Sequence, residues 1–267
     1  MMIHLASSGF SPAFIVSGLL VGALVGLTGV GGGSLMTPLL VLLFGFHPAT
    51  AVGTDLLFAS TTKSFGTLFH HAGKSVDWQV VGRLALGSIP ATGLAMAVIA
   101  HHGTTSRAMS LVMSLVLGVA LLLSAVSLLV KDRIIRWVMD RHPGMRRQSP
   151  PALTVLVGFV LGLLVTLSSV GAGALGTVAL LLLYPKMAAV RVVGSDIAHA
   201  VPLTLIAGLG HWYLGSIDFP LLGTLLLGSI PGILLGSWAA RHMSERFLRP
   251  SLGVVLALVG WRMLTVV

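Results

Sequence analysis

Long apolar stretches separated by short polar ones run through most of this chain. Most of the stretches hold about 20 residues, the length a helix needs to cross a hydrocarbon layer roughly 30 Å thick. The pattern therefore predicts an all-α polytopic membrane protein. The apolar segments lie at about 12–46, 50–70, 79–100 and 106–130 in the first half and at about 152–184, 192–213, 219–240 and 250–266 in the second.

The longest segment of each half is interrupted by glycine. The first break is the stretch GVGGGS at 29–34, and the second is the stretch SVGAGA at 169–174. Glycine inside an apolar helix costs roughly 1 kcal/mol relative to alanine, so three in a row argue against a continuous helix. The breaks predict sharp turns whose backbone N–H groups are free to face another group.

The two halves are copies of one pattern. Residues 18–44 and 158–184, offset by 140, share 13 identities in 27 positions. At offset 141, GTD at 53–55 matches GSD at 194–196, and GSIP at 87–90 matches GSIP at 228–231. The sequence thus predicts a first transmembrane repeat at 1–130, a basic linker at 131–151 and a second transmembrane repeat at 152–267. Internal duplication of this kind is common in transporters.

The positions of the basic residues indicate how the halves are oriented. The linker holds six basic and two acidic residues, a net of 6 − 2 = +4, which predicts a cytoplasmic location. If each broken segment is a hairpin, each half has three full spans, and Lys74, Lys186 and Arg191 also become cytoplasmic; a single crossing would place the last two outside. This favours two inverted-topology repeats, each a glycine-broken helical hairpin plus three transmembrane helices. Arg107 and Arg262, near outer ends, are exceptions.

Composition removes several classes of function. The chain is 55% hydrophobic and 9% charged, with a mean hydropathy of +1.01 and no cysteine. These values exclude a soluble domain, a disulfide and a thiolate site. The chain has a net charge of +9, and its basic residues lie mainly between the apolar segments. In these loops they orient the chain in the membrane rather than bind nucleic acid. The partners expected are membrane lipid and a small solute, and nothing marks a cleaved signal peptide.

Two acidic residues and one lysine lie well inside apolar segments. Asp55 and Asp196 occupy matched positions, and an acid at membrane depth is a functional candidate because its insertion costs at least about 2.5–3.5 kcal/mol. They are interpreted either as a proton or cation relay or as structural carboxylates that bind the turn backbone. Lys63 is interpreted as an anion site or as the ion-pair partner of Asp55, two helical turns earlier. The second half has Thr204 at the matched position.

The glycine turns are the other candidate site. A helix that starts after a turn points its N–H groups and positive dipole at the break, which suits an anion; close packing through small residues is the alternative. Three histidines, His70, His199 and His211, are assigned to proton coupling or to structure. Their spacing does not resemble a zinc site, and no metal or other cofactor is expected. The predicted substrate-binding residues are Thr28, Gly31, Gly32, Gly33, Ser34, Lys63, Ser169, Gly171 and Gly173.

Several of these motifs together resemble one family of transporters. The pattern GxxxGxxGxGGG at 22–33, the stretch AVGTDLLFASTTKSFGTLFHHAGKSVDW that follows and the repeated LGSIP look like the sulfite exporter TauE/SafE family, also called the toluene-sulfonate uptake permease family. The resemblance covers nearly the whole chain. It implies a secondary transporter in the cytoplasmic (inner) membrane of a prokaryote that moves sulfur-containing anions. The second turn departs from the full glycine run at Ala172 and Ala174.

The resulting hypothesis is a secondary transporter of sulfite, sulfoacetate or another organosulfonate that works by alternating access. An organic substituent of the substrate would occupy an apolar pocket, with Phe58, Phe65 and Trp212 as candidates for its wall. No nucleotide-binding loop, GxSxG or HExxH motif indicates an enzyme, so no catalytic residue is assigned. The alternative is a translocase for another anion such as a lipid phosphate. A homodimer is also considered, although no motif in the sequence indicates one.

Overall fold

The computed structural model describes residues 11–28, 33–72, 76–141, 151–240 and 245–266, and these residues form ten α-helices and no strand. The expectation of an all-α protein is confirmed. In chain order the helices are α1 (Pro12–Thr28), α2 (Gly33–Leu42), α3 (Pro48–Ala72), α4 (Trp78–His102), α5 (Arg107–Arg141), α6 (Pro151–Ser168), α7 (Ala174–Leu183), α8 (Ala189–Tyr213), α9 (Phe219–Ala240) and α10 (Glu245–Val266).

Five of the described helices are long and apolar enough to cross a membrane, so the chain is a multi-pass membrane protein. They are Trp78–His102, Arg107–Val130, Pro151–Ser168, Ala189–Tyr213 and Phe219–Ala239. The helix α3 has 25 residues and is not among them; its sequence includes Asp55, Lys63 and two histidines. The helix α5 continues to Arg141, so helical structure extends past the apolar segment into the first part of the basic linker.

Both broken segments fold back toward their starting points. Near the start of α1, the Phe14 ring lies 4.9 Å from Phe44 and 5.9 Å from Phe46, which follow α2. In the second half, the Thr154 hydroxyl at the start of α6 lies 2.7 Å from that of Tyr184, just after α7. The long helix α1 and the short helix α2, like α6 and α7, therefore form two arms of one hairpin.

Each half of the chain packs one helix of its hairpin against a helix of the other half. Helix α1 packs along α9, and α6 packs along α4, through glycines that bring the backbones together. Glycine is required because a Cβ at Gly22 would collide with the carbonyl of Ser229, and a Cβ at Gly162 would collide with that of Ser88. These two contacts occupy matched positions at the offsets of the sequence repeat. Each hairpin is therefore packed mainly against the other half of the chain.

Matched hydrogen bonds join the halves at both ends of the helix bundle. At the end called here the Thr54 end, the Asp218 N–H donates to the Thr54 hydroxyl at 3.1 Å, where α9 begins. At the opposite, Asp77 end, the Asp77 N–H donates to the Ser195 hydroxyl at 2.8 Å, where α4 begins. Phe14 and α1 start from the Thr54 end, whereas α6, parallel to α4, starts from the Asp77 end. The two hairpins thus enter the bundle from opposite ends.

Candidate functional site

The second glycine turn is built by backbone conformations that favour glycine. Between α6 and α7, Gly171 and Gly173 each have a φ of 126°, and Ser169 has a φ of 59°. The Ser168 hydroxyl stabilises the turn, because it accepts a hydrogen bond from the Val170 N–H at 3.2 Å. The turn is buried, which brings its backbone carbonyls to the interior of the bundle.

Lys63 reaches this turn from the other half of the chain. Its amino group donates a hydrogen bond to the carbonyl of Ala172 at 3.1 Å, and the residue is only 5% exposed. Lys63 also interacts electrostatically with Asp55 and with Asp196. The side chain therefore brings a positive charge to the place where α3, α8 and the second turn meet.

Asp55 ties α3 to the short helix of the first hairpin. Its Oδ2 accepts hydrogen bonds from the Thr37 hydroxyl and from the Thr37 N–H, the latter at 3.2 Å. The side chain of Ser169, in the second turn, lies beside the same carboxylate. Because Lys63 touches Ala172 and Asp55 lies beside Ser169, the second turn lies against α3 between these two charged residues.

Asp196 makes the matched contact in the second half. Its Oδ2 accepts a hydrogen bond from the Thr177 hydroxyl at 3.0 Å, and Thr177 lies on α7. The carboxylate approaches the backbone of α7 so closely that a Cβ at Gly176 would collide with Asp196 Oδ1. Both acids thus contact the N-terminal part of a short hairpin helix, where the helix dipole favours negative charge.

Two of the three candidate histidines have described side chains, and both are fully buried. His199 Nε2 lies 2.8 Å from the Ser88 hydroxyl of α4, and this histidine also interacts electrostatically with Lys63. His211 Nε2 lies 3.1 Å from the carbonyl of Thr166, near the Thr54 end. The structure therefore places His199 at the central charges and His211 away from them, in a helix contact.

Other predicted site residues lie partly or wholly outside the described part of the chain. Gly31 and Gly32 fall in the gap between α1 and α2. The helix α1 ends at Thr28 and α2 begins at Gly33, followed by Ser34, but the side chains of Thr28 and Ser34 are not described, nor is that of His70. The candidate site described here is therefore the centre formed by Lys63, Asp55, Asp196, His199 and the second turn.

One of the three residues suggested for the apolar wall of the site, Trp212, was assigned wrongly. Trp212 is 54% exposed and packs edge-on against Phe219 with ring centroids 5.7 Å apart, so it lies at the periphery of the molecule. Phe58 is fully buried in a cluster with Met36 and Leu40. The side chain of Phe65 lies outside the described residues. A tryptophan near a helix end was misassigned because such residues commonly lie at the membrane interface.

Sequence reasoning did not find the partners of the central charges. The carbonyl of Ala172 and the hydroxyl of Ser88 contribute to the centre, although neither was chosen as a site residue. Ser88 lies in the repeated GSIP stretch, so the repeat marked its position but not its role. The arrangement brings into one buried space an ammonium group, which can bind an anion, and two carboxylates, which can exchange a proton.

Comparison with known proteins gives a consistent result. The family model described as Sulfite exporter TauE/SafE matches residues 14–263. The chain is 42% identical over 250 residues to the probable membrane transporter protein YjnA of Bacillus subtilis (strain 168), an alignment that covers 92% of this chain and 95% of the relative. It is 26% identical over 269 residues to the probable membrane transporter protein MJ0441 of Methanocaldococcus jannaschii, with 95% of each chain covered.

A further relative extends the same picture. The probable membrane transporter protein YdhB of Bacillus subtilis is 24% identical over 241 residues, covering 90% of this chain and 95% of the relative. No solved structure matches. The relatives are described as transporters rather than enzymes, and the family model spans almost the entire chain. The chain therefore belongs to the sulfite exporter TauE/SafE family of membrane transporters.

Proposed function

We propose that the protein is a secondary transporter that moves a small sulfur-containing anion across the cytoplasmic membrane by alternating access. Sulfite, sulfoacetate and other organosulfonates are the substrates considered. The observation that carries the proposal is the hydrogen bond from Lys63 to the carbonyl of Ala172, which holds an ammonium group in the buried centre between the halves. A sulfonate spreads one negative charge over three oxygens, so it can accept bonds from an ammonium, from hydroxyls and from turn N–H groups together.

The proposed architecture is two inverted-topology repeats. The hairpins that enter from opposite ends, and the odd number of long helices after each hairpin, support this arrangement. The Asp77 end also carries Arg191 and Lys186, close to the basic linker, and the positive-inside rule makes it the cytoplasmic end. Under this proposal the centre lies where the two repeats meet, as in other transporters of inverted repeats.

Alternating access would use the matched contacts at the two ends. The Thr54–Asp218 contact closes one end, and the Ser195–Asp77 contact, reinforced by the Arg191–Asp77 ion pair at 3.0 Å, closes the other. Each contact joins residues of different halves, so a rocking motion of one half against the other would break them in turn. The centre would then be open first to one face of the membrane and next to the other.

The test is a binding screen on the purified protein and a Lys63→Met variant. The panel contains sulfite, sulfoacetate, taurine, p-toluenesulfonate, sulfate, phosphate and a lipid phosphate, and binding is measured by titration and by thermal shift. We expect sulfite or a sulfonate to bind and Lys63→Met to weaken that binding by at least about tenfold, because a charge-assisted hydrogen bond is lost. Lys186→Met, the same change at an exposed lysine, is the matched control and keeps wild-type affinity.

Two results would count against the proposal. Stabilisation by the lipid phosphate alone would replace the small-anion transporter with a lipid translocase. Equal sulfonate affinity of Lys63→Met and the wild type would remove Lys63 from the site and leave it a structural partner of the second turn.

A further inference from the structure

The charges in the centre of the protein do not balance. Among the described residues, the buried charged side chains are Asp55, Asp196 and Lys63, which are 0%, 1% and 5% exposed. Two carboxylates and one ammonium give a net charge of −1 when all three are ionised. An unbalanced charge buried at membrane depth is costly, so a further negative charge is expected to enter the centre together with a compensating positive charge.

Asp55 is the less compensated of the two carboxylates. Lys63 lies eight residues beyond Asp55 on α3, about 12 Å along the helix. The helix α8 runs antiparallel to α3, with Gly208 against Leu57, so Asp196 approaches the level of Lys63. Of the two acids, Asp196 has the larger electrostatic effect on Lys63. The ammonium group is therefore the counter-ion of Asp196 more than of Asp55.

One oxygen of Asp55 is available for a proton. Its Oδ2 is engaged by Thr37, whereas its Oδ1 is buried and has no hydrogen-bond partner in the described part of the chain. The Ser169 hydroxyl, which lies beside Asp55, also lacks a hydrogen-bond partner there. A proton on Oδ1 would turn that oxygen into a donor, and the Ser169 hydroxyl beside the same carboxylate is an acceptor without another partner among the described residues.

The groups around Asp55 favour a proton over a metal ion as the neutralising charge. The titratable groups of the described centre are Lys63 on α3 and Asp196 and His199 on α8, while α2 and the second turn contribute the hydroxyls of Thr37 and Ser169. The ammonium of Lys63 would repel a second cation held by the turn carbonyls. A proton bound covalently to one carboxylate oxygen avoids that repulsion.

We infer that Asp55 carries one proton across the membrane with each monovalent anion, an inference that rests on the anion transport proposed above. The proton comes from the face to which the centre is open, forms an O–H bond with Asp55 Oδ1, and leaves at the other face when that bond breaks. The loaded centre, with anion and proton, then has the same charge of −1 as the empty centre. Because both forms carry the same charge when they change conformation, a complete transport cycle moves no net charge, and transport is an electroneutral symport.

The experiment uses the full chain in proteoliposomes with labelled isethionate, a monovalent sulfonate that carries no proton of its own near neutral pH. Counterflow exchange of isethionate reports transport without coupling. Accumulation driven by an imposed pH gradient, and accumulation driven by a potassium diffusion potential, report coupling. We expect the wild type to accumulate isethionate about tenfold per pH unit and to ignore the membrane potential.

Asp55→Asn is the decisive variant. We expect it to retain counterflow, to lose accumulation driven by the pH gradient, and to respond to potential with up to tenfold accumulation per about 59 mV, because the anion now crosses alone. Asp132→Asn, which changes a carboxylate on α5 just beyond the apolar span ending at Val130, is the matched control and keeps coupling to protons.

The outcomes separate the coupling from the function. Wild-type counterflow without accumulation driven by the pH gradient would overturn the inference and leave anion transport standing. Accumulation by the wild type in response to the membrane potential would do the same, and this result needs no variant to fold. Retained coupling in Asp55→Asn would move the proton to another group. Absence of isethionate counterflow in the wild type would overturn sulfonate transport and the coupling with it.

Discussion

The two halves of the chain build the same carboxylate contact and surround it with different charges. In the first half, Thr37 on α2 donates to Asp55 on α3; in the second, Thr177 on α7 donates to Asp196 on α8. Both copies retain the acid and the threonine at matched positions. The shared contact therefore serves a shared need, which is to hold the short arm of each hairpin against the long helix that follows it.

The differences lie on the next turns of the same helices. Position 63 is lysine in the first half, and the matched position 204 is threonine, whose hydroxyl bonds to Ala200 of its own helix at 2.8 Å. Position 58 is a buried phenylalanine, and the matched position 199 is a histidine paired with Ser88. Two carboxylates thus share one ammonium, so the repeat is symmetric as a scaffold and asymmetric in charge.

Substitution at the two matched positions tests this asymmetry and has the largest expected effect. Lys63→Thr makes the two halves alike and leaves both buried carboxylates without an ammonium group. We expect sulfonate flux in proteoliposomes to fall by at least about tenfold, because an anion then meets two negative charges without a charged donor. Thr204→Val removes only a hydroxyl that bonds within its own helix, and its flux is expected to remain within about twofold of the wild type.

Comparable losses in the two variants would contradict the comparison. They would mean that both copies of this position contribute equally to transport, and that the charge of Lys63 has no special role.

A second test concerns how closely each carboxylate approaches its short helix. In α7 a Cβ at Gly176 would collide with Asp196 Oδ1, whereas the matched position of α2 holds the buried Met36. Gly176→Ala forces the carboxylate to move, and we expect it to lower the free energy of unfolding by about 1–3 kcal/mol, as overpacking does. Thermal unfolding in detergent measures the change.

Gly82→Ala is the control for that substitution. A Cβ at Gly82 on α4 meets open space, so replacing glycine in this helix is expected to be neutral or to stabilise by up to about 1 kcal/mol. If both variants unfold at the same temperature, the close approach of Asp196 to α7 has no energetic consequence.

The sequence predicted the scaffold better than it predicted the contacts of the centre. The repeat offsets of 140 and 141 identified Asp55 and Asp196 as matched acids, and the glycine runs located the breaks at which α1 and α6 end. Periodicity and composition carry this information because a helix and its length are set locally. The ion-pair interpretation of Lys63 used the same local information, because its proposed partner Asp55 lies two turns away on the same helix.

The hydrogen bond from Lys63 to the second turn could not be predicted in this way. Ala172 lies 109 positions further along the chain, and its carbonyl is a backbone group that no residue type marks. The bonds between Asp77 and Ser195 and between Asp218 and Thr54 are similar, because each joins a motif of one half to a motif of the other. The sequence showed that these residues occur in both halves. Which of them form contacts is determined only by how the helices of one half pack against those of the other.

The smallest expected effect concerns the two ends of the bundle. The Asp77 end has an ion pair between Arg191 and Asp77, whose side chains are 50% and 22% exposed, while the position matched to Arg191 in the first half is Thr50. Arg191→Thr makes the ends alike. Because the pair is open to solvent, we expect the free energy of unfolding to fall by at most about 1 kcal/mol, and less in high salt.

Asp77→Ala gives the contrast at the same end. Asp77→Ala removes the ion pair with Arg191 and also the cap of α4, because Asp77 Oδ1 accepts hydrogen bonds from the N–H groups of Gln79 and Val80. Loss of the cap is expected to cost about 0.5–2 kcal/mol in addition to the ion pair. Thermal unfolding at low and high salt separates the two terms, because the cap persists in salt and the ion pair weakens. An Arg191→Thr change as large as the Asp77→Ala change would show that the ion pair, rather than the cap, holds this end closed. Arg191 would then hold one end of the bundle closed, and the other end would have no matching arginine.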